Sequence, residues 1–332
     1  MTNRELVVID SLFVNAGKGA IKMINKNLSF QITWDCDAKC AHCFQEHVNY
    51  NLSIDKTLEL IKFMSSRYKL THINFTGGEP FLRYDFLKEA IQFNKSLNLK
   101  SRVITNCKWC DSEELIYERL VELIANDLDL ITISYDYFHS KYIPLDNILM
   151  FIKICNKLEL DVVMYSSLSK ATEQKTKGLI EELQSKTSFK VMYRWVIPPR
   201  NSKLKTTDTK KIEDLPNCCS AQNIFTMWPN GEVLTCCSVG TSKKLSVGNL
   251  NQNNFEELLN QRYNDLYKII EYEGPKGVYE RLPNEIKKLF KDKRYVNNCH
   301  FCSEIINHPA TSNYLKLMRL NEFDIVNKLL LQ

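Results

Sequence analysis

The sequence predicts an α/β fold, a partial (β/α)6 TIM-like barrel followed by a smaller C-terminal domain, and three observations support this. Six apolar strand segments alternate with amphipathic helices between residues 28 and 200, which implies a parallel sheet, helices outside it and right-handed crossovers. A cysteine triplet directly follows the first strand, at the carboxyl end where barrels gather their functional groups. Past Pro198-Pro199 a polar stretch to Asp214 reads as a linker, and a second group of cysteines lies beyond it. The expected boundaries are 1–27 for an N-terminal extension broken at Gly17-Lys18-Gly19, 28–200 for the barrel and 201–332 for the C-terminal domain.

Each barrel element has a local signal. Leu28 to Trp34 is an apolar strand, and Ser53 opens a helix with Leu58, Ile61 and Met64 on one face. A strand through Ile73-Asn74-Phe75 precedes a helix from about Tyr84. A strand at Arg102-Val103-Ile104 precedes a helix capped by Asp111, with Glu114 three residues on. Leu130 to Ile133 leads to a helix from Asp146 to Leu158, Val162 to Tyr165 to one from about Thr172, and Val191 to Ile197 is the sixth strand. Beyond the linker, Ile224 to Trp228 and Glu232 to Thr235 form a hairpin around Pro229-Asn230-Gly231.

At 332 residues, 44% hydrophobic and 25% charged, the chain can bury a large core. No apolar run approaches the roughly 20 residues of a membrane span, and no signal peptide opens the chain, so membrane partners are not expected and the cytoplasm is the default location. The net charge of +5 is spread out rather than gathered in a basic block, which speaks against nucleic acid. Twelve cysteines without an export signal point to metal rather than disulfides.

Cys36, Cys40 and Cys43, spaced three and then two residues apart, can present three thiolates to one face of a cubic iron–sulfur cluster and leave one iron without a protein ligand. A zinc site would need a fourth ligand close by, and His42, inside the triplet, is too constrained to serve. At the end of the second strand, Thr76-Gly77-Gly78-Glu79-Pro80 combines glycines that admit close backbone approach with a carboxylate suited to a cationic amine.

These two motifs, CDAKCAHC and TGGEP, resemble those of the radical S-adenosylmethionine (radical SAM) superfamily, and the likeness covers about residues 28 to 200. The resemblance implies a catalytic [4Fe–4S] cluster on Cys36, Cys40 and Cys43, with S-adenosylmethionine chelating the open iron. It further implies that Gly77, Gly78 and Glu79 meet the methionine moiety, that His42 and Phe44 flank the adenine, and that Asn106, Ser134 and Asp136 reach the ribose and carboxylate. For Ser134 and Asp136, capping and turn formation are the competing roles. Reductive cleavage of the sulfonium would yield a 5′-deoxyadenosyl radical.

Cys218-Cys219, the hairpin, Cys236-Cys237 and Cys299-His300-Phe301-Cys302 resemble the SPASM/twitch extension of such enzymes. The resemblance implies one auxiliary cluster, a second [4Fe–4S], on Cys219, Cys236, Cys299 and Cys302. A zinc site on the same four thiolates is the alternative. Cys155 reads as core, and Cys107 and Cys110 supply only two ligands for a further site.

ISYDYFH, TNCKWC, NGEVLTCCS and CHFCS together resemble the radical SAM peptide epimerases, which convert L- to D-residues in ribosomally made peptides. In that family the radical removes an α-hydrogen from one face and a cysteine after the hairpin ligand returns one to the other, a position matched by Cys237. The implied partners are a ribosomally made precursor peptide and a low-potential electron donor such as a flavodoxin or ferredoxin. Asn223 stands where such epimerases carry a carboxylate, and the N-terminal 27 residues are too few for a leader-binding domain, so the peptide is expected at the barrel mouth or on a separate protein. The alternatives are a cross-linking or dehydrogenating peptide maturase, a twitch-type dehydrogenase of a small molecule, and a non-catalytic electron-transfer protein.

Overall fold

A barrel strand hides one face under helices and turns the other to the lumen, and that alternation organises the first half of the molecule. The computed structural model describes residues 25–45, 48–197, 209–219, 224–236, 243–261 and 265–319. Strands β1 (Asn25–Gln31), β2 (Lys69–Thr76), β3 (Lys100–Thr105), β4 (Leu128–Ser134), β5 (Asp161–Leu168) and β6 (Lys190–Trp195) pair in parallel in that order. Between them run α1 (Ile54–Ser65), α2 (Tyr84–Ser96), α3 (Glu113–Ala125), α4 (Leu145–Lys157) and α5 (Glu173–Lys186). Val103, Ile131, Ile133 and Met164 turn outward and are fully buried among Ile91, Leu120 and Ile152 of the helices. The α/β fold is as expected, with all six strands and the five helices between them in the expected order; among the described residues no helix follows β6 before β7.

The sheet continues past β1. β7 (Ile224–Met227) pairs in parallel with β1, with Ser29 opposite Thr226, and β8 (Glu232–Leu234) and β9 (Ser246–Asn249) follow antiparallel. The result is one nine-stranded sheet with β6 and β9 at its edges. The hairpin is where the sequence puts it, whereas β9 was not expected: SVGN is too short and polar to read as a strand. Helices α6 (Phe255–Gln261), α7 (Asp265–Glu280), α8 (Asn284–Lys291), α9 (Asn298–Asn307) and α10 (Ser312–Met318) complete the chain, and the core runs without interruption from Leu28 to Phe225, Val233 and Leu258. Among the described residues no helix is long and apolar enough to cross a membrane.

Two local expectations are corrected. β1 starts at Asn25, ahead of its apolar part, because pairing with Lys69 uses backbone groups alone, and Trp34 lies beyond its end. α3 is capped by Ser112, whose Oγ accepts from Leu115 N at 3.2 Å, rather than by Asp111. Ser112→Ala is expected to cost about 1 kcal/mol of stability by urea unfolding and Asp111→Ala only a few tenths. The Gly17-Lys18-Gly19 break and most of the expected linker lie outside the described residues.

Candidate functional site

The cysteine loop is tied to the end of β2 by backbone. Gly78 N donates to Thr33 O at 2.7 Å and Glu79 N to Asp35 O at 2.9 Å. A Cβ on Gly78 would stand 1.9 Å from Asp35 O, and one on Gly77, where φ is +152°, 2.4 Å from Thr33 O. No side chain fits at either position, so the glycine pair admits the loop's own main chain.

Glu79 is fully buried and accepts three hydrogen bonds, from Phe81 N (3.0 Å), Thr105 Oγ1 (2.8 Å) and Asn106 N (2.8 Å). Burial pushes its carboxyl up to about 7, opposed by those donors. A carboxylate has lone pairs beyond these three, so the group still has capacity for an amine. Asn106 binds the same structure from the other side: its Nδ2 donates to Asp37 Oδ1 at 3.3 Å and reaches Cys36 Sγ at 3.5 Å. Lys108, which sequence reasoning missed, donates to Asp37 O. The ends of β2 and β3 thus grip one loop.

Cys36, Cys40 and Cys43 are free thiols gathered around a small apolar cluster of Ala38, Phe138 and Val196. Burial pushes the Cys36 thiol up to about 12 and raises Cys43, so thiolates here need a cation to offset desolvation. Among the described residues the only trio of His, Cys, Asp or Glu with donor atoms within 4.8 Å of one another is His42, Asp136 and His139.

Asp136 follows β4 and is fully buried. Its Oδ1 accepts from Phe138 N (2.8 Å) and His139 N (3.2 Å), and its Oδ2 from Ser167 N (3.1 Å). His139 Nδ1 lies 3.0 Å from Oδ1 and His42 Nε2 3.8 Å from Oδ2. Burial alone would lower His139, but the Asp136 carboxylate outweighs it and pushes the imidazole up to about 10; Asp136 itself is held well below the usual carboxylate range. Burial drops His42 to about 4, so it stays neutral and packs on the Phe138 ring at 4.6 Å. The trio braces the cysteine loop: His42 Nε2 stands 3.8 Å from Asp136 Oδ2, and the His42 ring lies 5.0 Å from that of His139. Sequence reasoning named His42 and Asp136 but missed His139, although SYDYFH sets it three residues after the aspartate. Ser134, at the end of β4, and Phe44, beside Cys43, are both half-buried.

Asp136→Ala would leave an imidazolium and three amides unpaired, at a cost of about 3 kcal/mol or more, which lowers the melting temperature by roughly 6–12 °C. The His139 contribution is fully present below its ordinary value of 6.5 and is lost as pH rises through about 10. The gap between parent and variant in thermal melts should therefore narrow between those two pH values.

In the second cysteine group, Cys299 and Cys302 occupy the first turn of α9, which Asn297 caps by accepting from His300 N at 3.0 Å. Burial raises the Cys302 thiol, and the neighbouring Cys299 and Cys219 add to the shift, which puts the three close together. Asn298 Nδ2 donates to Cys218 O at 2.7 Å, and α7 breaks at Gly274 (φ 68°), where a Cβ would stand 3.1 Å from the Cys218 backbone. Cys236 is half-buried just past β8. Cys237 and Asn223 lie outside the described residues. Cys107, Cys110 and Cys155 are wholly buried.

Residues 30–176 match the family model described as "Radical SAM superfamily". The chain is 24% identical over 311 residues to "Putative peptide biosynthesis protein YydG" of Bacillus subtilis (strain 168), spanning 88% of this chain and 95% of that protein. It is 31% identical over 148 residues to "S-adenosylmethionine-dependent nucleotide dehydratase RSAD2" of Oncorhynchus mykiss, spanning 39% of this chain and 40% of that protein. Its fold resembles the solved structure "Native anSMEcpe with bound AdoMet and Kp18Cys peptide", with a TM-score of 0.60 at 14% identity, over 89% of this chain and 99% of that one. The strands that carry the thiol loop, its glycine clamp and the Asp136 brace are the strands that this family model spans, and the match implies a [4Fe–4S] cluster and S-adenosylmethionine.

Proposed function

We propose that this protein is a peptide epimerase that inverts L-residues of a ribosomally made precursor peptide. The observation that carries the proposal is the placement of the two cysteine groups at opposite ends of the barrel. The Cys36 loop leaves the carboxyl end of β1, while β8 runs antiparallel to β7, which is itself parallel to β1, and delivers Cys236 toward β1's amino end. Leu234 pairs with Thr226 and Thr226 with Ser29, so Cys236, two residues on, lies near the level of Asn27, about 13 Å along the strand direction from the end of β1 at Gln31. An epimerase needs such a layout, with hydrogen leaving one face of an α-carbon and arriving at the other. The likeness to a protein named for peptide biosynthesis, over 88% of this chain, supports a peptide as substrate.

When bound, the cluster on Cys36, Cys40 and Cys43 with S-adenosylmethionine would supply the 5′-deoxyadenosyl radical. Glu79 and Asn106 hold the loop and offer acceptors to the cofactor's amine; Gly77, Gly78, Ser134, His42 and Phe44 shape its pocket. Cys237 returns a hydrogen atom from its thiol. Cys219, Cys236, Cys299 and Cys302 would hold a second cluster, which would supply electron relay from a low-potential donor such as a flavodoxin or ferredoxin; the proximity of Cys219 and Cys299 to Cys302 supports this.

The test is turnover of the short peptide encoded beside the gene, in D2O. A D-residue carrying one solvent deuterium is the expected product. A peptide lighter by two hydrogens would replace the proposal with cross-linking or dehydrogenation.

A further inference from the structure

The lumen holds two cations that no carboxylate among the described residues answers. Register places Arg102, Thr132 and Tyr165 on the face opposite the outward-buried Val103, Ile131, Ile133 and Met164. Arg102 is half-buried; its Nε and Nη2 donate to Thr132 Oγ1 at 3.0 and 2.7 Å, and Nη2 reaches Tyr165 OH at 3.3 Å. Arg194 of the edge strand β6 sets its guanidinium over the Tyr165 ring, 4.2 Å from the centroid, while that of Arg102 lies 5.7 Å from the same centroid. Among the described residues neither arginine pairs with Asp or Glu, whereas Arg67 pairs with Glu256 and Arg281 with Glu273. Neutral hydroxyls fix the Arg102 fork without cancelling its charge, and a half-buried guanidinium held in this way is prepared for an anion.

Its position suggests which anion. Tyr165 stands opposite Ser134 in register, and Ser134 ends β4 at the level of the cofactor pocket. Arg102 lies three residues before the end of β3, about 10 Å below the rim, a depth that a side chain entering from the mouth can reach. Two guanidiniums around one phenol match the two oxygens of a single carboxylate, where a triphosphate would need more charge. We infer that Arg102 and Arg194 are specificity determinants that bind a carboxylate of the substrate, so that the peptide carries an acidic group into the lumen. This rests on the substrate being a peptide but not on its being epimerised.

The test uses the full chain, reconstituted with iron and sulfide and loaded with S-adenosylmethionine, in calorimetric titrations. The probes are acetyl-AAEAA-amide, acetyl-AAQAA-amide, acetyl-AAQAA with a free C-terminal carboxylate, and GTP. The glutamate peptide is expected to bind at least about fivefold more tightly than its glutamine counterpart, the scale of one charge-assisted contact. Arg102→Met and Arg194→Met should each bring that ratio close to one. Arg194 is exposed, so its variant keeps the test open if Arg102→Met does not fold. A free C-terminus that binds as well as glutamate supports the inference and identifies a terminal carboxylate as its source. Equal binding of the glutamate and glutamine peptides, no binding of any peptide, a ratio unmoved by both variants, or GTP binding ahead of every peptide would overturn it. If the acid preference holds while no peptide yields a D-residue, the epimerase proposal fails and this inference stands.

Discussion

Gly78→Ala is expected to abolish S-adenosylmethionine cleavage, with deoxyadenosine formation down by more than about 1000-fold, while the folded signal in far-UV circular dichroism survives. The added methyl group would sit 1.9 Å from Asp35 O, so either the β2 end or the cysteine loop must retreat. Retreat breaks Gly78 N to Thr33 O and Glu79 N to Asp35 O, the two bonds that fix where Cys36 leaves the strand. A misplacement of about 1 Å in a reacting constellation already costs around 100-fold, and here the thiol that must ligate is itself displaced. Iron bound after reconstitution should fall as well, since Cys36 loses its place. Gly178 is the control: nothing lies within 4 Å of a Cβ there and it sits inside α5, so Gly178→Ala should leave activity intact and stabilise slightly. Parental deoxyadenosine formation by Gly78→Ala would show that the clamp does not position the loop.

The pattern of legible and hidden features follows from the range of the interactions that carry them. Ser53 before an apolar periodic run announces α1 because a cap acts on an amide three residues away, and Ser53 does accept from Lys56 N. Alternating apolar segments announce β1 to β6 because each strand must hide an outward face. The cysteine triplet and the glycine pair are equally local, so the site's skeleton could be read directly. The pairing of β7 with β1 joins residues nearly 200 positions apart, and no local pattern marks it; the hairpin was visible but not what it docks on. Through that pairing β7, β8 and β9 extend the barrel sheet beyond β1. His139 and Arg102 were hidden for a related reason. A histidine in a loop and an arginine in a strand are ordinary alone, and they acquire meaning only when Asp136 lies 3.0 Å from one and, among the described residues, no carboxylate pairs with the other. Asp111 and Ser112 show the limit at short range: both are capping residues, and only geometry decides that Ser112 meets Leu115 N.

Cys237→Ala is expected to separate hydrogen removal from hydrogen return. The loop that holds the catalytic thiols and the end of β8 approach the lumen from opposite ends, so deleting a thiol next to Cys236 leaves the Cys36 loop, the Glu79 clamp and the Asp136 brace untouched. Deoxyadenosine should still form in the presence of peptide, while D-residues fall below detection, a loss of at least about 100-fold on the scale of removing a catalytic group. The unquenched α-carbon radical, stabilised by its flanking amides, would then be oxidised or form a bond to a neighbouring group. The S–H proton exchanges with solvent, so the parent should place deuterium from D2O at the inverted carbon and the variant should not. Cys218→Ala, removing the other cysteine adjoining a proposed ligand, serves as the comparison: it should keep the D-product, since Cys218 is held through its backbone by Asn298 and α7. D-residues at the parental rate from Cys237→Ala would take this thiol out of the reaction and assign the hydrogen return to another donor.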